Sequence, residues 1–209
     1  MKYKIVFIDD NMNDGIQDAF VRAIGKKLPE AELSVFMDPE EGLRYVMDNL
    51  NSQMIVFIDC KFDEFAKQGT DLLKEIRQKT SLLYIVMMSA NNLKQIEGID
   101  IIAMINEDFI WFYDRNNGSV EDACKLIQRI TQYWKSRFDC VLERWLVRHP
   151  EDRAKVAIRQ VSGVSYTWGQ ILTELRLQTE IGRLFEQMIN QYYIYQLNGK
   201  AEEEHFDSL

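Results

Sequence analysis

KIVFIDDN, residues 4–11, is the stretch on which the fold turns. Four apolar residues, Ile5 to Ile8, stop at two adjacent carboxylates, Asp9 and Asp10. A short apolar run bounded by polar residues reads as a buried strand. Like charges side by side repel, so the pair at its end calls for a positive partner.

On the C-terminal side of this stretch, apolar runs alternate with amphipathic ones, the pattern of a parallel sheet flanked by helices. Residues 3–8 form the first expected strand, and Ile16, Phe20, Ala23 and Ile24 predict a helix over 15–28, closed by Pro29. Residues 32–37 predict the second strand; Asp38 then caps a helix with Pro39 at its first position, running to about residue 50. MIVFI, residues 54–58, is a third strand apolar on both faces and ending in Asp59. A loop to Gly69, a helix over 70–78 and a fourth strand over 83–88, ending in Ser89 and Ala90, follow. Residues 91–97 read as a short helix, and FIWFY, 109–113, as the fifth strand, with 101–105 competing for that place. Asn116, Asn117 and Gly118 are turn residues, and Ser119 caps a helix opened by Glu121 and Asp122. The expected fold class is α/β, a doubly wound five-stranded parallel sheet, followed by a small, mostly helical C-terminal domain.

From 119 to 147 there is neither Gly nor Pro, and Leu126, Ile130, Tyr133, Phe138, Leu142 and Trp145 keep one apolar stripe, so a single helix ending before Pro150 is expected. The domain boundary falls inside it, near residue 135, dividing 1–135 from 136–209. Beyond it, residues 155–159 and 164–166 flank Ser162 and Gly163 as a short β-hairpin. Thr167 and Thr179 cap helices over 168–177 and 180–197, and the tail AEEEHFDSL is acidic and frayed.

Composition narrows the function. A chain of 209 residues with 46% hydrophobic and 11% aromatic residues can bury a core. The N-terminus lacks the pattern of a signal peptide, and no window approaches the roughly 18 apolar residues of a membrane span. Three scattered thiols, Cys60, Cys124 and Cys140, fit a reducing cytoplasm and no zinc site. The net charge of −8 weighs against nucleic acid as a partner.

Asp9, Asp10, Asp59 and Ser89 all fall at the C-terminal ends of expected strands, where doubly wound sheets place their sites. With the first and third strands as neighbours, three carboxylates converge, and they cannot all stay ionised without a cation. A hard divalent ion with oxygen ligands, Mg²⁺, answers that need.

The set KIVFIDDN, MIVFIDCKFDE, GTDLLKEIR and YIVMMSANN, within residues 1–135, resembles the receiver domain of bacterial two-component response regulators. The resemblance implies the flavodoxin-like fold and a cytoplasmic protein. It implies Asp59 as acceptor of a phosphoryl group from a histidine kinase or phosphotransfer protein. It further implies Asp9, Asp10, Asp59 and the backbone carbonyl of Lys61 as Mg²⁺ ligands, and Ser89 as the hydroxyl that contacts the phosphoryl group. The sequence departs from the pattern after the fifth strand, where receivers carry Lys-Pro and this chain reads FYDRNNGS. Arg115 is the nearby cation that could stand in for that lysine. The loop after Asp59, CKFDEFAKQG, is longer than usual and lacks the common Met-Pro.

From Val141 to Leu209 there are eight Lys and Arg against ten Asp and Glu, which does not describe a DNA-binding output. Trp145, Tyr166, Trp168, Phe185, Tyr192, Tyr193 and Tyr195 suit docking to a downstream protein. The 119–147 stripe also allows a homodimer. The expected function is a response regulator, not an enzyme. A pseudo-receiver scaffold without phosphate chemistry is the alternative that the missing Lys-Pro favours. A phosphohydrolase would need an acid two positions after its nucleophile, and Asn11 and Lys61 occupy those places.

Overall fold

The structure, a computed structural model, describes residues 2–89 and 108–197. The chain divides into two compact units, Met1–Lys135 and Ser136–Leu209. The expected helix at 91–97, the competing strand at 101–105 and the acidic tail lie outside the described residues.

In the first unit β1 (Tyr3–Ile8), β2 (Ala31–Phe36), β3 (Met54–Asp59), β4 (Tyr84–Ser89) and β5 (Ile110–Asp114) form one parallel sheet in the order β2-β1-β3-β4-β5. This is the flavodoxin-like doubly wound order, which brings β1 and β3 side by side at the point where the order reverses. β3 is buried at all six positions, as a central strand covered on both faces must be. On one face Val6, Ile8, Val56, Ile58, Ile85 and Met87 meet Leu43 and Val46 of α2 (Pro39–Asp48) and Leu72, Leu73 and Ile76 of α3 (Gly69–Arg77). On the other, Phe7 stacks on Phe57 at 4.9 Å and meets Phe20 of α1 (Ala19–Lys27) edge-on at 6.1 Å. There α1 packs on α4 (Val120–Tyr133).

Side-chain caps fix where the helices begin. Asp38 accepts from the Glu40 and Glu41 N–H groups with Pro39 at the first helical position, and Ser119 and Asp122 form a reciprocal capping box. The expected helix over 15–28 is shorter than its periodicity. Gly15 turns the chain at φ +54°, Gly15–Gln17 make one 3₁₀ turn, and Asp18 caps α1 through the Phe20 and Val21 N–H groups.

The single helix over 119–147 is two helices, α4 and α5 (Phe138–Arg148). Trp134 is buried at the end of α4, its ring 5.6 Å from Tyr3 and 6.1 Å from Tyr84, and Arg137 is extended at φ −69°, ψ 129°. A homodimer through one continuous 119–147 helix therefore loses the element it would use.

In the second unit α5 leads through a 3₁₀ turn at Pro150–Asp152 to an antiparallel hairpin, β6 (Val156–Arg159) and β7 (Ser165–Thr167). Two helices follow, α6 (Trp168–Arg176) and α7 (Glu180–Leu197). Leu142, Leu146, Ile171, Leu172, Leu175 and Phe185 form the core, with Trp145 and Trp168 6.0 Å apart beside it. Thr167 caps α6 through a box with Gln170, and the Thr179 hydroxyl accepts the Gly182 N–H. Across α5 and α6 runs a buried ion network. Arg176 binds Asp139 at 3.1 Å and Glu143 through two bonds at 3.2 and 2.8 Å, and Arg137 binds the same Asp139. Burial alone would raise the Asp139 carboxyl, but the bonds and charges of Arg137 and Arg176 outweigh it and hold the group below its ordinary value.

Candidate functional site

The C-terminal ends of β1 and β3 deliver the acids together. β1 runs in register with β3 from Lys4–Met54 to Ile8–Ile58, so Asp9 follows the last pair on one strand as Asp59 does on the other. One carboxylate oxygen from each of Asp9, Asp10 and Asp59 can be chosen so that all three lie within 4.8 Å of one another. Asp9 has no exposure and Asp59 is 7% exposed. Asp9 Oδ1 accepts the Asn11 N–H at 2.9 Å, and its Oδ2 accepts from Arg115 Nη1. Asp10 takes the Asn11 side-chain amide on Oδ1 and the Asp63 N–H on Oδ2, at 2.9 and 2.8 Å.

The loop after β3 is held by Gln68. Its side chain accepts from the Phe62 N–H at 3.0 Å and donates to the Phe62 and Phe65 carbonyls, while Phe62 is buried beneath. Just before it, the Lys61 N–H donates to the Asp59 carboxylate. The Lys61 side chain points elsewhere, exposed and 3.5 Å from Asp63. Gly69 crosses so close beneath the site that any Cβ would collide with the Asp59 carbonyl oxygen. On β4, Met88 pairs with Asp59, and Ser89 comes one position later, half-buried and opposite Asp114 of β5. The Arg115 N–H donates to the Ser89 carbonyl at 2.9 Å, which fixes the start of the turn after β5.

The electrostatics follow from burial. Burial first, and then the charge of Asp9, push the Asp59 carboxyl from 3.8 up to about 7, against the Lys61 N–H and the Arg115 charge. Burial likewise raises Asp9, opposed by Arg115 and by the Asn11 N–H. Two buried acids raised together mark a site short of positive charge. An all-oxygen donor set converging within 4.8 Å fits a hard divalent cation such as Mg²⁺.

Asp9, Asp10 and Asp59 converge as the strand-end reading requires, and Arg115 turns into the cluster on the side of Asp9. Ser89 stands at the same edge of the sheet. Sequence reasoning missed Asn11 and Gln68, which shape the site through the loops. The close crossing of Gly69 falls in the glycine-led GTDLL that carries part of the receiver resemblance. Cys60, beside Asp59, is half-buried, and burial pushes its thiol up to about 12, so it is no nucleophile. Tyr113 is buried with its hydroxyl on the Ser119 carbonyl at 3.0 Å, and the Arg129 guanidinium lies 4.8 Å from the Trp111 ring centre.

No protein-family model and no curated protein matches the sequence. Among solved structures, a response regulator receiver domain protein from Clostridium thermocellum is 23% identical, covering 64% of this chain and 97% of its own, with a TM-score of 0.49. The receiver domain of NtrX from Brucella abortus is 20% identical over 60% of this chain and 95% of its own, TM-score 0.48. A CheY-like receiver domain protein from Methanospirillum hungatei is 13% identical over 64% of this chain and 96% of its own, TM-score 0.48. The first unit has the flavodoxin-like doubly wound fold, evident in its own strand order, and a helical region follows it.

Proposed function

We propose that the chain is a two-component response regulator in which Asp59 accepts a phosphoryl group from a histidine kinase or phosphotransfer protein. The convergence of Asp9 and Asp10 on a buried Asp59 at the strand ends is the observation that carries this reading. An Asp59 oxygen attacks the phosphorus of a phosphohistidine. The new O–P bond forms as the N–P bond breaks, and the electron pair leaves with the imidazole nitrogen. Asp9, Asp10, Asp59 and the Lys61 carbonyl would hold Mg²⁺, which when bound supplies positive charge to the carboxylates and the phosphoryl oxygens. The Ser89 hydroxyl donates to a phosphoryl oxygen, and Arg115 takes the place of the missing lysine. On this reading the chain is a cytoplasmic signal carrier and not an enzyme with a substrate of its own. Its second unit binds a downstream protein and not nucleic acid, in keeping with its acid excess and the exposed Tyr192, Tyr193, Ile194 and Leu197 of α7.

A second reading, a scaffold without phosphate chemistry, draws support from Arg115, which already supplies a cation to Asp9. Intact-protein mass spectrometry after incubation with acetyl phosphate and Mg²⁺ separates the two. The receiver reading expects a gain of about 80 Da for one phosphoryl group, absent in Asp59→Ala. No adduct, together with no binding of beryllofluoride, would leave the scaffold.

A further inference from the structure

The acid cluster contains a cation of its own chain. Arg115 lies 106 residues from Asp9 in sequence, yet its Nη1 sits on Asp9 Oδ2. The other oxygen of the same carboxylate already accepts the Asn11 N–H. A divalent ion drawn to Asp9 therefore meets a carboxylate whose two oxygens are both engaged, one of them by a full positive charge. Two cations on one oxygen repel each other across a distance where little water screens them.

The two partners differ in freedom. Asp9 has no exposure at all, whereas the Arg115 side chain is 25% exposed. The backbone of Arg115 is held apart from its side chain. Its N–H is on the Ser89 carbonyl, and the turn beyond is closed by Asp114, which accepts the Asn116 and Asn117 N–H groups at 2.9 and 3.2 Å. The guanidinium can leave Asp9 through its own side-chain torsions, with no change in the turn.

We propose that Arg115 is the resident counter-ion of the cluster and competes with the divalent ion for Asp9, so that metal loading and release of Arg115 are one exchange. The proposal rests on the metal-binding reading above and adds its regulation. Arg115 is a positioning residue here. It keeps the metal-free cluster folded, lowers the affinity for the ion, and is set free when the ion arrives. Binding linkage is reciprocal, so whatever draws Arg115 away from Asp9 tightens the ion by the same factor. A phosphoryl group on Asp59 offers such an alternative partner.

Isothermal titration of Mg²⁺ into the full chain tests this, with wild type beside Arg115→Gln, Arg115→Lys and Asp9→Asn, and melting measured in EDTA and in Mg²⁺. Arg115→Gln should bind Mg²⁺ about tenfold tighter than wild type, the size of one removed like charge at partial screening. Arg115→Lys should fall between the two. In EDTA, Arg115→Gln should melt below wild type, and Mg²⁺ should restore it. Equal or weaker binding by Arg115→Gln, with Asp9→Asn abolishing binding, overturns the competition and leaves the metal site standing. No binding by any of the four proteins overturns both.

Discussion

Asp9 and Asp59 are both buried acids at strand ends, but Arg115 bonds Asp9 directly and reaches Asp59 only as a nearby charge. Asp59 is raised by burial and by the charge of Asp9, against a backbone N–H from Lys61. The sign of the pH effect follows. The folded value of Asp59, about 7, lies above the ordinary 3.8, so the folded state prefers the protonated acid. That preference is present in full below about 3.8 and is lost as pH rises through about 7. In EDTA, Asp59→Asn should therefore be more stable than wild type at pH 8, by on the order of 2–4 kcal/mol, with the gap narrowing toward pH 5. Urea unfolding at the two pH values checks it; the same gap at both would mean that Asp59 ionises without penalty. Asp9, Asp10, Asp59 and Ser89 were legible because each ends an apolar run. Asn11 and Gln68 were not, because their partners are backbone groups whose positions depend on the path of a loop.

Among the elements, strands were the easiest to read. MIVFI is apolar at every position because β3 is covered on both faces, and no helix periodicity competes with it. The helix break between Tyr133 and Phe138 gave no such sign, since no Gly or Pro marks it. It comes from tertiary packing: Trp134 is buried against Tyr3 and Tyr84, contacts about 130 and 50 residues away along the chain. The network joining α5 to α6 was equally silent, because Arg176 meets Asp139 and Glu143 across 37 and 33 residues. Its removal should be costly. Arg176→Ala would leave Glu143 without this partner and Asp139 with Arg137 as its remaining cation, a loss of about 3–5 kcal/mol for a broken buried pair. The melting transition of the second unit reports it; a loss within the range of an exposed pair, below about 1 kcal/mol, would show the network to be solvated.

At the scale of the molecule, the acids, Ser89, the Gln68 clamp and Arg115 all precede Lys135, where the first compact unit ends. On the receiver reading, a chain of residues 1–135 should thus fold alone and take a phosphoryl group from acetyl phosphate at Asp59 to the same extent as the full chain. Labelling of the full chain but not of the soluble fragment would make the second unit part of the site. The sheet order was legible because alternating strands and helices permit few parallel topologies. In the second unit the hairpin, the caps and the helices over 168–177 and 180–197 were legible, but its core was not, since it joins residues from α5, α6 and α7 that no local period connects. The four tryptophans are shared out evenly by this division, Trp111 and Trp134 in the first unit, Trp145 and Trp168 in the second. Each unit thus carries its own optical signal. Trp145 and Trp168, with ring centres 6.0 Å apart and planes at 61°, are near enough to couple as an exciton pair in circular dichroism. With both replaced by Phe, the remaining tryptophan emission would come from the first unit alone, and phosphoryl transfer could be followed there by light.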